Sequence, residues 1–160
     1  MLKRIVSGGQ TGADRAALDV ALEHGLAIGG WIPKGRLAED GPIPHRYAGL
    51  RETDSAYPSV RTALNVCDSD ATLILSHGPL QGGSLLTLEE ARKLGRSVLH
   101  IDLAATPQSA AARQLCDWLR HVDPSTLNVA GPRASQDDAI YRSVVELLRT
   151  VLAQFSQNAL

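Results

Sequence analysis

Glycine and hydroxyl residues recur at three places where an apolar run gives way to a helix-like segment. The three segments read SGGQTG from residue 7, QGGS from residue 81 and GPRAS from residue 131. Backbone N–H groups at the start of a helix carry partial positive charge, and glycine lets a ligand approach them closely. Arg133 adds a guanidinium, which binds oxyanions in bidentate geometry. Together the segments predict a site for phosphate or another oxyanion.

Each segment also offers a structural alternative, because a hydroxyl residue is followed three positions later by an acid. This is the spacing of a capping box, which begins a helix without any ligand. The pairs are Thr11 with Asp14, Thr87 with Glu90, and Ser135 with Asp138. Capping leaves the doubled glycines and Arg133 unexplained. If an anion binds, we expect Asp14 and Glu90 to face backbone or a neutral part of the ligand.

The first segment matches neither of two common phosphate-binding motifs. A P-loop has a lysine after its last glycine, whereas position 13 is alanine, and the dinucleotide fingerprint is G-x-G-x-x-G rather than G-G-Q-T-G. The second apolar run ends in WIPK and not in the acidic residue that would bind a ribose. An ordinary NAD-dependent enzyme is therefore disfavoured.

Short apolar runs alternate with amphipathic stretches, which predicts repeated strand–helix units. The predicted strands are residues 2–6, 27–32, 71–76, 97–101 and 127–130, and the predicted helices are residues 11–24, 58–67, 87–94, 107–121 and 136–155. Strands that are apolar throughout belong to a parallel sheet covered on both faces. We expect residues 1–160 to form a single three-layer α/β domain. The long irregular stretch at residues 33–57 is expected to be functional.

Composition and charge disfavour several classes of protein, among them nucleic-acid-binding and membrane proteins. The chain has 160 residues, 44% hydrophobic and 21% charged, with a formal net charge of -1. This size and balance predict a folded domain without the positive field that nucleic acids or anionic membranes attract. No apolar stretch approaches the roughly 20 residues of a spanning helix, and no signal peptide is recognised, so we expect a cytoplasmic protein. Cys67 and Cys116 match no metal or disulfide spacing and are expected to be buried.

Four segments carry a family resemblance over nearly the whole chain. They read SGGQTGADRAALDVALEHG, GGWIPKGRLAEDGPIPHRY, TLILSHGPLQGGSLLTLEEA and LNVAGPRAS, in that order. In these segments the chain resembles the molybdenum-cofactor carrier family, a branch of the Rossmann-like superfamily that also holds the lysine-decarboxylase-like phosphoribohydrolases. The resemblance implies a Rossmann-like fold and a homo-oligomeric cytoplasmic protein that binds molybdenum cofactor (molybdopterin), protects it and hands it on to molybdoenzymes. By position, the binding residues would be Gly8, Gly9, Gln10, Thr11, Gly12, Lys34, Arg36, Gly82, Gly83, Ser84, Gly131, Arg133 and Ser135.

The chemistry of that cargo agrees with the residue types. The cofactor has a terminal phosphate, a pterin rich in donors and acceptors, and an oxo-metal head held by its own dithiolene. A carrier therefore needs oxyanion sites and amide partners but no metal ligands of its own, and none is predicted. Gln10 and Gln81 suit the pterin edge. His77 could touch a ligand and Trp31 could stack on a pterin, although a plain loop histidine and a core tryptophan are the more common roles at such positions.

Two alternatives share the fold. The phosphoribohydrolases carry P-G-G-x-G-T-x-x-E, in which glycines hold phosphate and the glutamate assists loss of a base from ribose. Here the segment reads QGGSLLTLEE, so the proline is missing, one residue is inserted and the third glycine is leucine. Glu90 keeps its spacing from Thr87 and would be the catalytic residue of such a hydrolase; a carrier has none. A non-catalytic nucleotide sensor would show the same residues as a carrier.

Overall fold

The computed structural model describes residues 1–157 of the chain. The strands are β1 (Arg4–Val6), β2 (Ala27–Ile32), β3 (Leu37–Ala38), β4 (Gly41–Pro42), β5 (Leu50–Glu52), β6 (Ala71–Ser76), β7 (Ser97–Asp102) and β8 (Thr126–Ala130). The helices are α1 (Ala13–Glu23), α2 (Pro58–Cys67), α3 (Gly82–Lys93), α4 (Gln108–Val122) and α5 (Ile140–Gln157). Within these residues no helix is long and apolar enough to cross a membrane.

Six strands form one parallel sheet in the order β5-β2-β1-β8-β6-β7, and β3 pairs with β4 as a separate antiparallel hairpin. The chain runs outward from β1 to β5, crosses to β6 and β7, and returns to place β8 between β1 and β6. Right-handed crossovers that run in opposite directions put their helices on opposite faces of the sheet. Accordingly α5 packs with α1 and α4, while α2 packs with α3. The predicted three-layer Rossmann-like α/β architecture is confirmed.

The two faces of the sheet are packed differently. The main core lies under α1, α4 and α5, where α5 buries a stripe that includes Ile140, Val144 and Leu148. On the other face, α2 and α3 bury mostly polar residues: Thr62, Asn65, Ser84 and Thr87, with Val66 and Ala91. Buried polar side chains require hydrogen-bond partners, so this second face has the composition of a binding site.

Residues 33–57, predicted as one irregular stretch, contain the β3–β4 hairpin and the edge strand β5. These strands are only two or three residues long, too short for an apolar alternation that could be seen in the sequence. Cys116 is buried as expected, whereas Cys67, at the end of α2, is exposed.

The capping-box alternative is not what the structure shows at the three segments. Gly12 precedes α1, and no side chain makes a capping hydrogen bond there. Helix α3 begins at Gly82, so Thr87 lies inside the helix and donates its hydroxyl to the carbonyl oxygen of Gly83 at 2.8 Å. Ser135 is separated from the start of α5 by a turn. The hydroxyl groups at these positions therefore have other roles.

Candidate functional site

A cavity of about 160 Å³ lies where the carboxyl ends of β1, β8 and β6 meet. Its wall includes Gln10 after β1, Gly131 and Arg133 after β8, and Gly83 and Ser84 at the start of α3. These three strand ends are adjacent because β8 is inserted between β1 and β6. The three glycine-containing segments thus converge on one hollow at the edge of the sheet where α/β proteins bind ligands.

A second cavity of about 100 Å³ adjoins the first and shares Ser84 and Gln136 with it. Its wall includes His77 and Asp137, whose Nδ1 and Oδ2 atoms are 2.6 Å apart. The other ring nitrogen of His77, Nε2, is 3.2 Å from the hydroxyl of Ser143. His77 is therefore held in a fixed orientation by partners on both sides.

Arg61, on α2, reaches into the larger cavity with part of its hydrogen-bonding capacity unused. One terminal nitrogen, Nη1, donates to the hydroxyl of Thr62 at 2.9 Å, and the other, Nη2, lies 3.9 Å from Asp14. The Nε atom is buried and has no hydrogen-bond partner. A buried unpaired donor is costly in a folded protein, and this one lies against the backbone of Gly8.

The absence of a side chain at Gly8 leaves room for this arginine. A Cβ atom at residue 8 would lie 2.4 Å from Cζ of Arg61. The guanidinium thus rests directly on the backbone of the first turn. A narrow extension of the cavity, about 10 Å³, continues past Gly8 towards Asn65 and Asn128.

Asp14 is the buried acid of the cavity. Its Oδ2 accepts a hydrogen bond from the backbone N–H of Gln10 at 3.1 Å. Burial raises the pKa of Asp14, and the nearby positive charge of Arg61 acts in the opposite direction. The expectation that Asp14 faces backbone is met. Glu90, the carboxylate that a hydrolase would use, lies within α3 and lines neither of the two cavities.

The hydroxyls of Thr11 and Ser135, both predicted to bind the ligand, contact a carboxylate of the protein itself. Each donates to Glu39, which sits in the turn between β3 and β4. The backbone N–H of Ser135 donates to the same carboxylate at 3.1 Å, and Arg133 approaches it at 3.7 Å. The hydrogen bonds from Ser135 and Thr11 hold the pKa of Glu39 below its usual value.

Four other predicted residues lie in the first turn or at the start of α3. Gln81 lines the smaller cavity. Gly9 and Gly12 shape the first turn with φ angles of 69° and 80°, conformations that favour glycine. Gly82 has a φ of 50° and is exposed at the start of α3, where an added Cβ would lie 3.8 Å from the side-chain nitrogen of Gln136.

Lys34 and Arg36 do not reach either cavity. Lys34 is exposed after β2, and Arg36 donates to the carbonyl oxygens of Ile43 and Pro44 at 2.9 and 3.1 Å, which fixes the loop that follows the hairpin. Trp31 also lies elsewhere, with its indole N–H donating to Asp68 at 2.8 Å.

Sequence reasoning missed several residues of the cavity walls. The two that contribute most are Arg61 and Gln136, with Thr87 and Pro58 beside them. An arginine in an amphipathic helix is expected to be a solvated surface residue. Its position in the sequence gives no indication that it lies near the glycine-containing turns. No group of three or more His, Cys, Asp or Glu side chains suited to a metal ion occurs among the residues that the structure describes.

Comparison with known proteins places the chain in a family. The model of the circularly permutated YpsA SLOG family matches residues 5–152. A crystal structure from Syntrophus aciditrophicus SB, described as "Putative molybdenum carrier protein", is 48% identical, with a TM-score of 0.92 and coverage of 94% of this chain and 95% of that chain. No curated protein matches the sequence. These matches confirm the family resemblance seen in the four segments. The chain belongs to the circularly permutated YpsA family of SLOG proteins.

Proposed function

We propose that this protein is a cytoplasmic carrier that binds molybdenum cofactor in the cleft between β1, β8 and β6 and hands it on to molybdoenzymes. The observation that carries the proposal is the convergence of three glycine-containing turns on one cavity whose wall holds Arg61 and Arg133. The nature of the cargo is supported by the similarity to the molybdenum carrier protein described above. The proposal requires binding and no covalent step.

The donors and acceptors of the cavity suit the chemistry of this cargo. Arg133 and the start of α3 at Gly83 offer donors for a phosphate. Gln10 and Gln136 offer amide groups to a pterin, whose edge carries both donors and acceptors. Arg61 adds a guanidinium to the wall of the same cavity. The metal would stay on the dithiolene of the cofactor, so the protein supplies no metal ligand.

The size of the cleft is consistent with a ligand that extends across both cavities. Pockets for small molecules and cofactors commonly hold about 300–1,000 Å³. The cavities of about 160 and about 100 Å³ are each smaller than this, but they meet at Ser84 and Gln136. A ligand of cofactor size would therefore fill both and project towards the neighbouring turns.

We also propose that the protein forms a homo-oligomer through the face of α2 and α3. Val60 and Leu85 on these helices are exposed, and Tyr57, just before α2, is 76% exposed. The same helices bury polar residues such as Thr62 and Thr87. These exposed apolar side chains, together with the exposed charges of Glu89, Arg92 and Lys93 on α3, suit a self-complementary contact with the same patch of a second copy.

The test of the carrier proposal is what the purified protein holds. Protein isolated from a host that makes molybdenum cofactor is expected to release a fluorescent oxidised pterin on denaturation, and protein from a cofactor-deficient host is not. Arg61→Met and Arg133→Ala should each lower the pterin content at least about tenfold, because each removes a charge-assisted contact. Arg133→Ala should cost little stability, since its side chain is 48% exposed.

The matched control is Arg142→Ala, which removes a largely exposed arginine of α5 and should leave the pterin content unchanged. A wild-type protein that releases no pterin and fails to bind added cofactor would contradict the carrier proposal. Release of free adenine from AMP by the protein would instead support the hydrolase alternative.

A further inference from the structure

The Glu39 carboxylate is surrounded by donors from two turns that are distant in sequence. Its Oε1 accepts from the Thr11 hydroxyl and from the Ser135 N–H, the latter at 3.1 Å. Its Oε2 accepts from the Ser135 hydroxyl and faces Nε of Arg133 at 3.7 Å. The Thr11 oxygen in turn accepts the N–H of Ala134 at 3.1 Å, so its own proton is directed to Glu39. Both carboxylate oxygens are thus held by converging groups.

This cluster borders the larger cavity. Arg133 contacts Glu39 and lines the cavity as well. Gln10 also lines the cavity, and its side-chain oxygen accepts the backbone N–H of Glu39 at 3.0 Å. A ligand that fills the cavity and projects beyond it meets these donors next.

The β3–β4 hairpin has a second, independent attachment. Asp40 forms a two-point ion pair with Arg15, whose Nε donates to the carbonyl oxygen of Gly9 at 3.1 Å. The hairpin is therefore held against the first turn by Asp40, and Glu39 is the part of it that enters the donor cluster. The two neighbouring acids can be tested separately.

We propose that Thr11, Ser135 and Arg133 form an oxyanion subsite that Glu39 fills in the free protein, and that an anionic group of the ligand takes this place by displacing Glu39. The inference rests on the proposed function, since it assigns a further part of the same ligand site. A phosphate presents the same acceptor oxygens as a carboxylate with more negative charge, so it competes for the same donors. Until a ligand arrives, Glu39 keeps these donors paired and lowers the apparent affinity for anions.

The test uses inorganic phosphate as the probe and calorimetric titration as the measurement. Glu39→Ala vacates the subsite and should bind phosphate at least about tenfold more tightly than wild type, because no internal carboxylate competes. Glu39→Gln, which keeps the shape but not the charge, should show a smaller gain. Adding Ser135→Ala to Glu39→Ala should remove the gain. The matched control is Asp40→Asn, which removes the same charge from the same hairpin and keeps a side-chain oxygen that accepts a hydrogen bond from Arg15.

Equal phosphate affinity in wild type, Glu39→Ala and Asp40→Asn would overturn the inference, as would an equal gain in affinity in the two variants. If Glu39→Ala does not fold, as judged by thermal melting, the comparison of Glu39→Gln with Asp40→Asn decides. The two proposals fail separately. A gain in phosphate affinity in a protein that never binds the cofactor would refute the carrier proposal alone, and cofactor binding without that gain would refute the subsite alone.

Discussion

Single residues in this protein have roles that follow from burial more than from residue type. Arg61 and Arg133 both line the larger cavity, but the side chain of Arg61 is 15% exposed and that of Arg133 is 48% exposed. The prediction of Arg133 as a wall residue followed from its position beside a glycine-containing turn. Nothing in the sequence distinguishes Arg61 from a surface arginine, because its importance comes from the lack of a partner for its Nε.

Asp14 gives a prediction about pH. Its pKa is raised in the folded state by burial, so the folded protein holds this proton more tightly than the unfolded chain. The resulting stabilisation is complete below the ordinary Asp pKa of about 4 and is lost as the pH rises through the raised pKa of the folded state. Asp14→Asn lacks this titration. We therefore expect the free energy of unfolding of Asp14→Asn, minus that of wild type, to increase as the pH rises from about 4 to 7.

Urea unfolding of both proteins at several pH values measures this difference. The amide side chain introduced by Asp14→Asn can still accept the hydrogen bond from Gln10, so the first turn should persist in the variant. The carboxylates with lowered pKa values, such as Glu39, are common to both proteins and cancel in the comparison. A difference that is constant with pH would contradict the prediction.

Among the helices and strands, the longer ones were located well from the sequence because apolar periodicity defines them. The predicted helix 58–67 matches α2, and the predicted strand 71–76 matches β6. The prediction for α3 began at residue 87, whereas the helix begins at Gly82, since two adjacent glycines look like a turn when taken alone. Helix α3 therefore presents its first two turns to the cavity, from Gly83 to Thr87.

Two glycines at these junctions should respond differently to alanine. At Gly131 a Cβ would lie 2.4 Å from the carbonyl oxygen of Leu75 and 2.6 Å from Cβ of Ala13, where β8, β6 and α1 meet. Because fixed atoms fill this space, Gly131→Ala should lower the free energy of unfolding by about 2 kcal/mol. At Gly8 the clash is with the end of the Arg61 side chain, which can move.

Gly8→Ala should therefore fold with nearly wild-type stability but bind less cofactor, because the guanidinium is displaced from the cavity. Chemical denaturation and pterin content measure the two effects in both variants. Similar losses of stability in Gly8→Ala and Gly131→Ala would show that Arg61 is fixed in place and that this interpretation is wrong.

For the molecule as a whole, the interface proposed on α2 and α3 predicts self-association. Leu85→Glu places a charge in the proposed interface and should weaken association at least about tenfold in sedimentation experiments, because the charge would have to be desolvated. Leu22→Glu is the matched control, since Leu22 is an exposed leucine on α1, in the other helical layer. A wild-type protein that sediments as a monomer at all concentrations would refute the proposed interface.

The alternation of strands and helices, the parallel sheet and the three turns that carry glycine and hydroxyl groups could all be predicted from the amino-acid sequence, because each of these is encoded within a few neighbouring residues. Which of those groups share a cavity became known only from the folded arrangement. Folding brings Arg61 to Gly8 and places Glu39 against Thr11 and Ser135. These contacts join segments far apart in the chain, and their energies depend on burial and on shared partners, which no local pattern records.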